Sequence, residues 1–190
     1  MNEEKKKESY VEWQLENYLP DEEQLIYASE LLTITSQCEK QDINYAVGGG
    51  YGLDGLYGKL TRAHGDIDML VKDEDIHRFE LLLESLGYSK YEGDSDKNKT
   101  VFKNPNLPTD FKVEFASDKL LTEYEQKDIG AFFPHIPNAS IGDRKFRCIP
   151  LNEAKQLVEI QNIRAKEQVW RDYPDEKKLN QLAILEALSL

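Results

Sequence analysis

Apolar and polar positions alternate along the chain with two periods, and the changes between them mark its elements. Residues 8–19 carry Val11, Trp13, Leu15 and Leu19 and read as a short helix that Pro20 ends. Asp21 then stands as an N-cap with Gln24 as its capping-box partner. Leu25, Ala28, Leu31 and Leu32 follow at helical spacing, which predicts an amphipathic helix over 22–40. Tyr45-Ala46-Val47 reads as a short strand broken by Gly48-Gly49-Gly50, and a short helix follows through Leu53 and Leu56 to Gly58. Residues 65–71 have the period-two pattern of a strand. Asp73 is placed to cap a helix lined by Ile76, Phe79, Leu83 and Leu86, with Gly87 as its C-terminal stop. Strands are expected around Tyr88, at Val101-Phe102 and along Phe111-Val113-Phe115, separated by polar loops at 92–99 and 104–109. Gly and Pro breakers make 128–143 a long loop, and 146–149 is a last strand candidate. From Asn152 the chain reads as helical, with Pro174 opening a final helix. The class expected is α+β: a small mixed β-sheet with packed helices (1–150) and a helical C-terminal part of the same compact unit (151–190).

Composition narrows the function. The 190 residues, 39% hydrophobic and 32% charged, suit a soluble globular protein. No apolar run approaches the roughly 20 residues that span a bilayer, and the polar first residues do not form a signal peptide. Cys38 and Cys148, far apart, read as free core thiols in a reducing cytoplasm. With 24 basic against 36 acidic residues the formal charge is −12, which argues against a nucleic-acid backbone as partner and suits a cationic one.

The stretch from Val47 to Val71 carries the candidate chemistry. In a strand, Asp66 and Asp68 share one face while Ile67, Met69 and Val71 take the other. His64 joins the carboxylates if the strand reaches back to it. Paired carboxylates repel unless a cation lies between them, and Mg²⁺ takes one or two such ligands together with substrate phosphates. The triple glycine, between strand and helix, permits close approach of backbone N–H groups to a phosphate at a helix N-terminus. Asp110, Lys112 and Glu114 share one strand face opposite Phe111, Val113 and Phe115. Glu114 is the preferred third ligand of a two-metal site for in-line displacement, and the base for an acceptor hydroxyl, with Asp110 in reserve.

The same stretch closely resembles the antibiotic nucleotidyltransferases of the DNA polymerase beta-like superfamily, above all the aminoglycoside 2''-adenylyltransferases and their lincosamide-modifying relatives. The resemblance rests on Gly48-Gly49-Gly50, Tyr51, Leu53-Asp54, Gly58, Thr61-Arg62, His64 and Asp66-Ile67-Asp68, with a weaker echo in Arg147-Cys148 and Glu153-Ala154. It implies that Gly48, Gly49 and Gly50 hold the nucleotide phosphates, that Arg62 and His64 lie beside the phosphates or shape the strand, and that Asp66 and Asp68 bind magnesium. Glu114 falls where relatives place a third acid, though many have Asp there, and Gly65 replaces a frequent Asp. The implied reaction transfers a nucleoside monophosphate, AMP from ATP, to a small-molecule hydroxyl with two Mg²⁺ ions in turnover.

The acceptor is an aminoglycoside- or lincosamide-type antibiotic on this reading. Glu123, Glu125, Asp128, Asp172, Asp175 and Glu176 are candidates for lining its side of the site, and Phe132, Phe133 and His135 for stacking on a base or sugar. Two other readings remain open at this point. One is a minimal nucleotidyltransferase of a toxin–antitoxin pair, which would modify a protein. The other is a catalytically silent nucleotide-binding module.

Overall fold

The computed structural model describes residues 15–92, 99–108, 111–119, 133, 136–156 and 175–189, with the backbone alone at 175–179. Helix α1 spans Glu22–Lys40, and the Asp21 carboxylate caps it by accepting the Gln24 N–H at 2.9 Å. Its buried stripe is Tyr27, Ala28, Leu31, Ile34 and Cys38, so the face is rotated from the one expected: Leu25 is exposed. Gln24 is not a capping-box partner either. Its side chain grips the main chain of His64 instead, donating to the carbonyl at 3.0 Å and accepting from the N–H at 2.7 Å.

Strand β1 (Tyr45–Val47) leads through the glycines into α2 (Gly49–Tyr57), which Gly58 ends in the left-handed conformation. Strand β2 (Asp66–Val71) follows. A single 3-10 turn, Asp73–Asp75, then enters α3 (Ile76–Ser85). Asp73 is therefore not the cap expected. Asp75 anchors this corner, accepting from Asn44 N and Nδ2, both at 2.9 Å, and from Arg78 Nη1 at 2.7 Å.

β3 (Ser89–Lys90), β4 (Thr100–Lys103) and β5 (Lys112–Ser117) complete a five-stranded sheet in the order β1-β2-β5-β4-β3. Only the β2–β5 pair is parallel, with Asp68 opposite Glu114 and Asp66 opposite Lys112. Asp118 and Lys119, which follow β5, thus leave the same sheet end as the residues after β2.

A second sheet was not expected. β6 (Asn138–Ile141) and β7 (Arg144–Arg147) form a hairpin across a Gly142-Asp143 turn; β6 and the turn fall in the stretch that reads in sequence as loop, while β7 overlaps the strand expected at 146–149. A parallel bridge from Cys148 to Val47 joins the hairpin to the free edge of β1. Residues 151–156 are helical, and α4 (Asp175–Ala187) is the final helix.

α1 and α3 cover one face of the large sheet. Ile67, Met69 and Val71 from β2 and Val113 and Phe115 from β5 pack there with Tyr27, Leu31, Phe79 and Leu83. Phe115 meets Phe79 edge-on at a 4.9 Å ring separation, and Tyr27 stacks on Phe111 at 4.1 Å. A smaller cluster of Leu15, Leu53, Ile184 and Leu185 fixes α4 against α2. The opposite face carries Asp66, Asp68 and Glu114 together with a small apolar cluster of Ala46, Leu70 and Ile149. Among the described residues no helix is long and apolar enough to cross a membrane.

Candidate active site

Period-two alternation puts Asp66 and Asp68 on the sheet face away from α1 and α3, each half-buried, while Ile67 and Met69 enter the core. The parallel register sets Glu114 beside Asp68 on that same face. His64 does not extend it, because the strand begins at Asp66. Asp110 lies outside the described residues.

Between Asp68 and Glu114 stands a residue the sequence reasoning passed over. Lys99, just ahead of β4, places its ammonium 2.9 Å from Asp68 Oδ1 and 2.8 Å from Glu114 Oε2. Lys112 contacts the other oxygen, Glu114 Oε1, at 2.5 Å. The only signal for Lys99 was its phase: it is two residues before Val101, which pairs with Glu114 across β4–β5. Burial disfavours charge on Lys99, but the Asp68 carboxylate and the bonds to Glu114 and Asp68 outweigh it and raise its pKa. Burial likewise opposes ionisation of Glu114, yet hydrogen bonds from Lys112 and Lys99 and their charges hold its pKa below the ordinary value. Glu114 is thus an ionised carboxylate, 9% exposed, at neutral pH.

The glycine turn lies against this pair. Gly48 donates its N–H to the Asp68 carbonyl at 2.9 Å. Gly49 has φ +56°, and a Cβ there would overlap the Asp68 carboxylate, Oδ2 nearest of all. Only glycine satisfies both demands. A Cβ on Gly50 would overlap the Arg62 guanidinium and the His64 ring, so those side chains form the wall behind the turn. The N-terminus of α2, which opens at Gly49, is therefore next to Asp68.

A buried polar network holds that wall. Asp54, on α2 and fully buried, accepts from Thr61 Oγ1 at 2.5 Å and Thr61 N at 3.1 Å, and its Oδ2 lies 2.6 Å from His64 Nε2. Burial lowers the His64 pKa despite the Asp54 bond. The neutral Nε2–H tautomer donates to Asp54 and turns Nδ1 towards Gly50. Gln24 clamps the His64 main chain from α1, and Tyr51 packs over the ring at 4.3 Å. His64 is thus 3% exposed and enclosed behind the turn. Arg62, half-buried, donates Nη1 to the Ala63 carbonyl at 2.7 Å.

The donor set suits a hard divalent cation. Asp68 and Glu114 already share one positive nitrogen, so their oxygens are placed to share a metal ion. Among the described residues no three Asp, Glu, His or Cys side chains converge on one point. Asp66 stands one pleat away on the same face of β2. Both cysteines are buried and free, and burial pushes each thiol up to about 12, so neither offers a thiolate at neutral pH. Phe133 packs beside Ala46, Leu70 and Ile149. Phe132, His135, Glu123, Glu125, Asp128 and Asp172 lie outside the described residues, and Asp175 and Glu176 open α4.

Residues 30–172 match the family described as aminoglycoside-2''-adenylyltransferase, which covers the glycine turn, all three acids and Lys99. The chain belongs to the aminoglycoside-2''-adenylyltransferase family. It is accordingly a nucleotidyltransferase. Solved structures agree on the fold. ANT(2'')-Ia in complex with adenylyl-2''-tobramycin is 19% identical with a TM-score of 0.58, over 85% of this chain and 95% of that one. The lincosamide antibiotic adenylyltransferase LnuA, lincomycin-bound, is 19% identical with a TM-score of 0.57, over 84% and 96%. A nucleotidyltransferase-like protein from Paracoccidioides brasiliensis is 14% identical with a TM-score of 0.59, over 85% and 76%. No match was found among curated protein sequences.

Proposed function

We propose that this protein performs magnesium-dependent transfer of AMP from ATP to a hydroxyl of a small antibiotic of the aminoglycoside or lincosamide type. The observation that carries the reading is the convergence of Asp68 and Glu114, from adjacent parallel strands, on a single cation beside a glycine turn. Asp66, Asp68 and Glu114 are the residues that would hold magnesium. When bound, magnesium neutralises charge that develops on the phosphate oxygens. Gly48, Gly49 and Gly50 offer backbone N–H groups and a helix N-terminus to the triphosphate, with Arg62 adding positive charge at the turn. His64 and Asp54 serve that turn from behind.

Glu114 accepts the proton of the acceptor hydroxyl, whose oxygen forms a new bond to the α-phosphorus as the bond to pyrophosphate breaks. Nothing covalent passes through the protein, in keeping with two inert thiols. Catalysis of this kind is positioning and electrostatics. Two related structures were solved with adenylyl-tobramycin and with lincomycin, and the −12 charge of this chain favours a cationic acceptor.

The test is incubation with Mg²⁺, ATP and a panel of both drug classes, read by mass spectrometry for an added AMP, with Asp66→Asn alongside. An adduct that the variant does not form supports the reading. No adduct on any drug, with an adduct on protein instead, refutes it.

A further inference from the structure

The position between Asp68 Oδ1 and Glu114 Oε2 is filled by the Lys99 ammonium, at 2.9 and 2.8 Å. A divalent ion bound to those oxygens and an ammonium bound to the same ones would repel strongly at such separations. We propose that Lys99 competes with the divalent ion for the position between Asp68 and Glu114, so that the ion enters only as the ammonium withdraws. The inference rests on the metal-dependent reading of the site and adds to it a built-in competitor.

Three features of the chain fit this role. Lys99 sits at the edge of the sheet face, and its side chain is 39% exposed, so a path to solvent is open. The two oxygens of Asp68 face different ways: Oδ1 meets Lys99, and Oδ2 is the atom nearest to a Cβ built on Gly49. A cation exchanged on the first oxygen therefore need not disturb the glycine turn. Glu114 keeps a second lysine on its other oxygen, Lys112 at 2.5 Å, so withdrawal of Lys99 does not leave its carboxylate without a positive neighbour. Lys112 also supplies the control. It carries the same charge and touches the same Glu114, yet it does not stand between the two acids.

The experiment is a Mn²⁺ titration of the full chain without nucleotide, following free Mn²⁺ by electron paramagnetic resonance. If Lys99 holds the position at least about nine-tenths of the time, apparent affinity is lowered at least about tenfold, and Lys99→Met should restore that factor. Lys112→Met, which removes the same charge, should gain clearly less. Circular dichroism checks the fold, and Lys99→Gln replaces Lys99→Met should the latter fail to fold. Equal gains in the Lys99 and Lys112 variants, or wild-type binding with no gain on loss of Lys99, would overturn this inference alone. Absence of Mn²⁺ binding in the wild type and in every variant would overturn both it and the metal-dependent reading.

Discussion

Gly49→Ala separates backbone strain from damage to the site, because Gly58 provides the matched control. Both glycines have positive φ, +56° at Gly49 and +95° at Gly58. Alanine in that region costs about 1–2 kcal/mol at either position. The surroundings differ. A Cβ on Gly58 meets nothing within 4 Å, whereas one on Gly49 overlaps the Asp68 carboxylate. Relief of an overlap of this kind costs a further 1–3 kcal/mol or so and must move either the turn or Asp68. Gly58→Ala should therefore lose about 1–2 kcal/mol of stability and keep its turnover. Gly49→Ala should lose roughly 2–5 kcal/mol and, where still folded, about a hundredfold in kcat, since a displacement near 1 Å suffices for that. Urea denaturation gives the stabilities, and pyrophosphate release at a temperature where both variants are folded gives the rates. Turnover of Gly49→Ala within threefold of Gly58→Ala would refute the idea that the turn and Asp68 form one unit.

The fold supplies three further expectations. Asp54→Ala removes the acceptor of Thr61 and His64 in a site closed to water and should destabilise by about 3 kcal/mol, measured by urea denaturation. Phe115→Ala, at the centre of the Phe79–Phe102 cluster, should cost about 3–5 kcal/mol in the same assay. Asp75 is opposed by burial, but bonds from Asn44 and Arg78 depress its pKa. A depressed carboxylate pKa gives stability that is present above the unfolded value near about 3.9 and is lost as pH falls through the folded one. Asp75→Asn should therefore flatten the fall of stability with pH below about 4, seen as a smaller slope in urea midpoints between pH 5 and 3.

Much of this was readable where local physics decides. Asp21 and Pro20 marked the start of α1 because capping is a contact within one turn. The alternation of Asp66-Ile67-Asp68-Met69 put both carboxylates on one face because the strand is half-buried and its period leaves one choice. Legibility ended where partners are distant. α1 carries two apolar stripes, and only the sheet beneath it chooses Tyr27, Leu31 and Ile34 over Leu25. Gln24 fits a capping box equally well, but a main chain 40 positions away takes its side chain. The Gly142-Asp143 turn was a hairpin signal hidden among neighbouring Gly and Pro. Lys99 looks like any solvated loop lysine until β4 is set beside β5, because nothing local to it predicts two acids from other strands.

The most direct test of the account is the location of metal and nucleotide in a crystal grown with Mn²⁺ and a non-hydrolysable ATP analogue. Anomalous scattering should place manganese on Asp66, Asp68 and Glu114, with the triphosphate along Gly48, Gly49 and Gly50. Manganese bound away from those three carboxylates, or a triphosphate that does not touch the glycine turn, would contradict it.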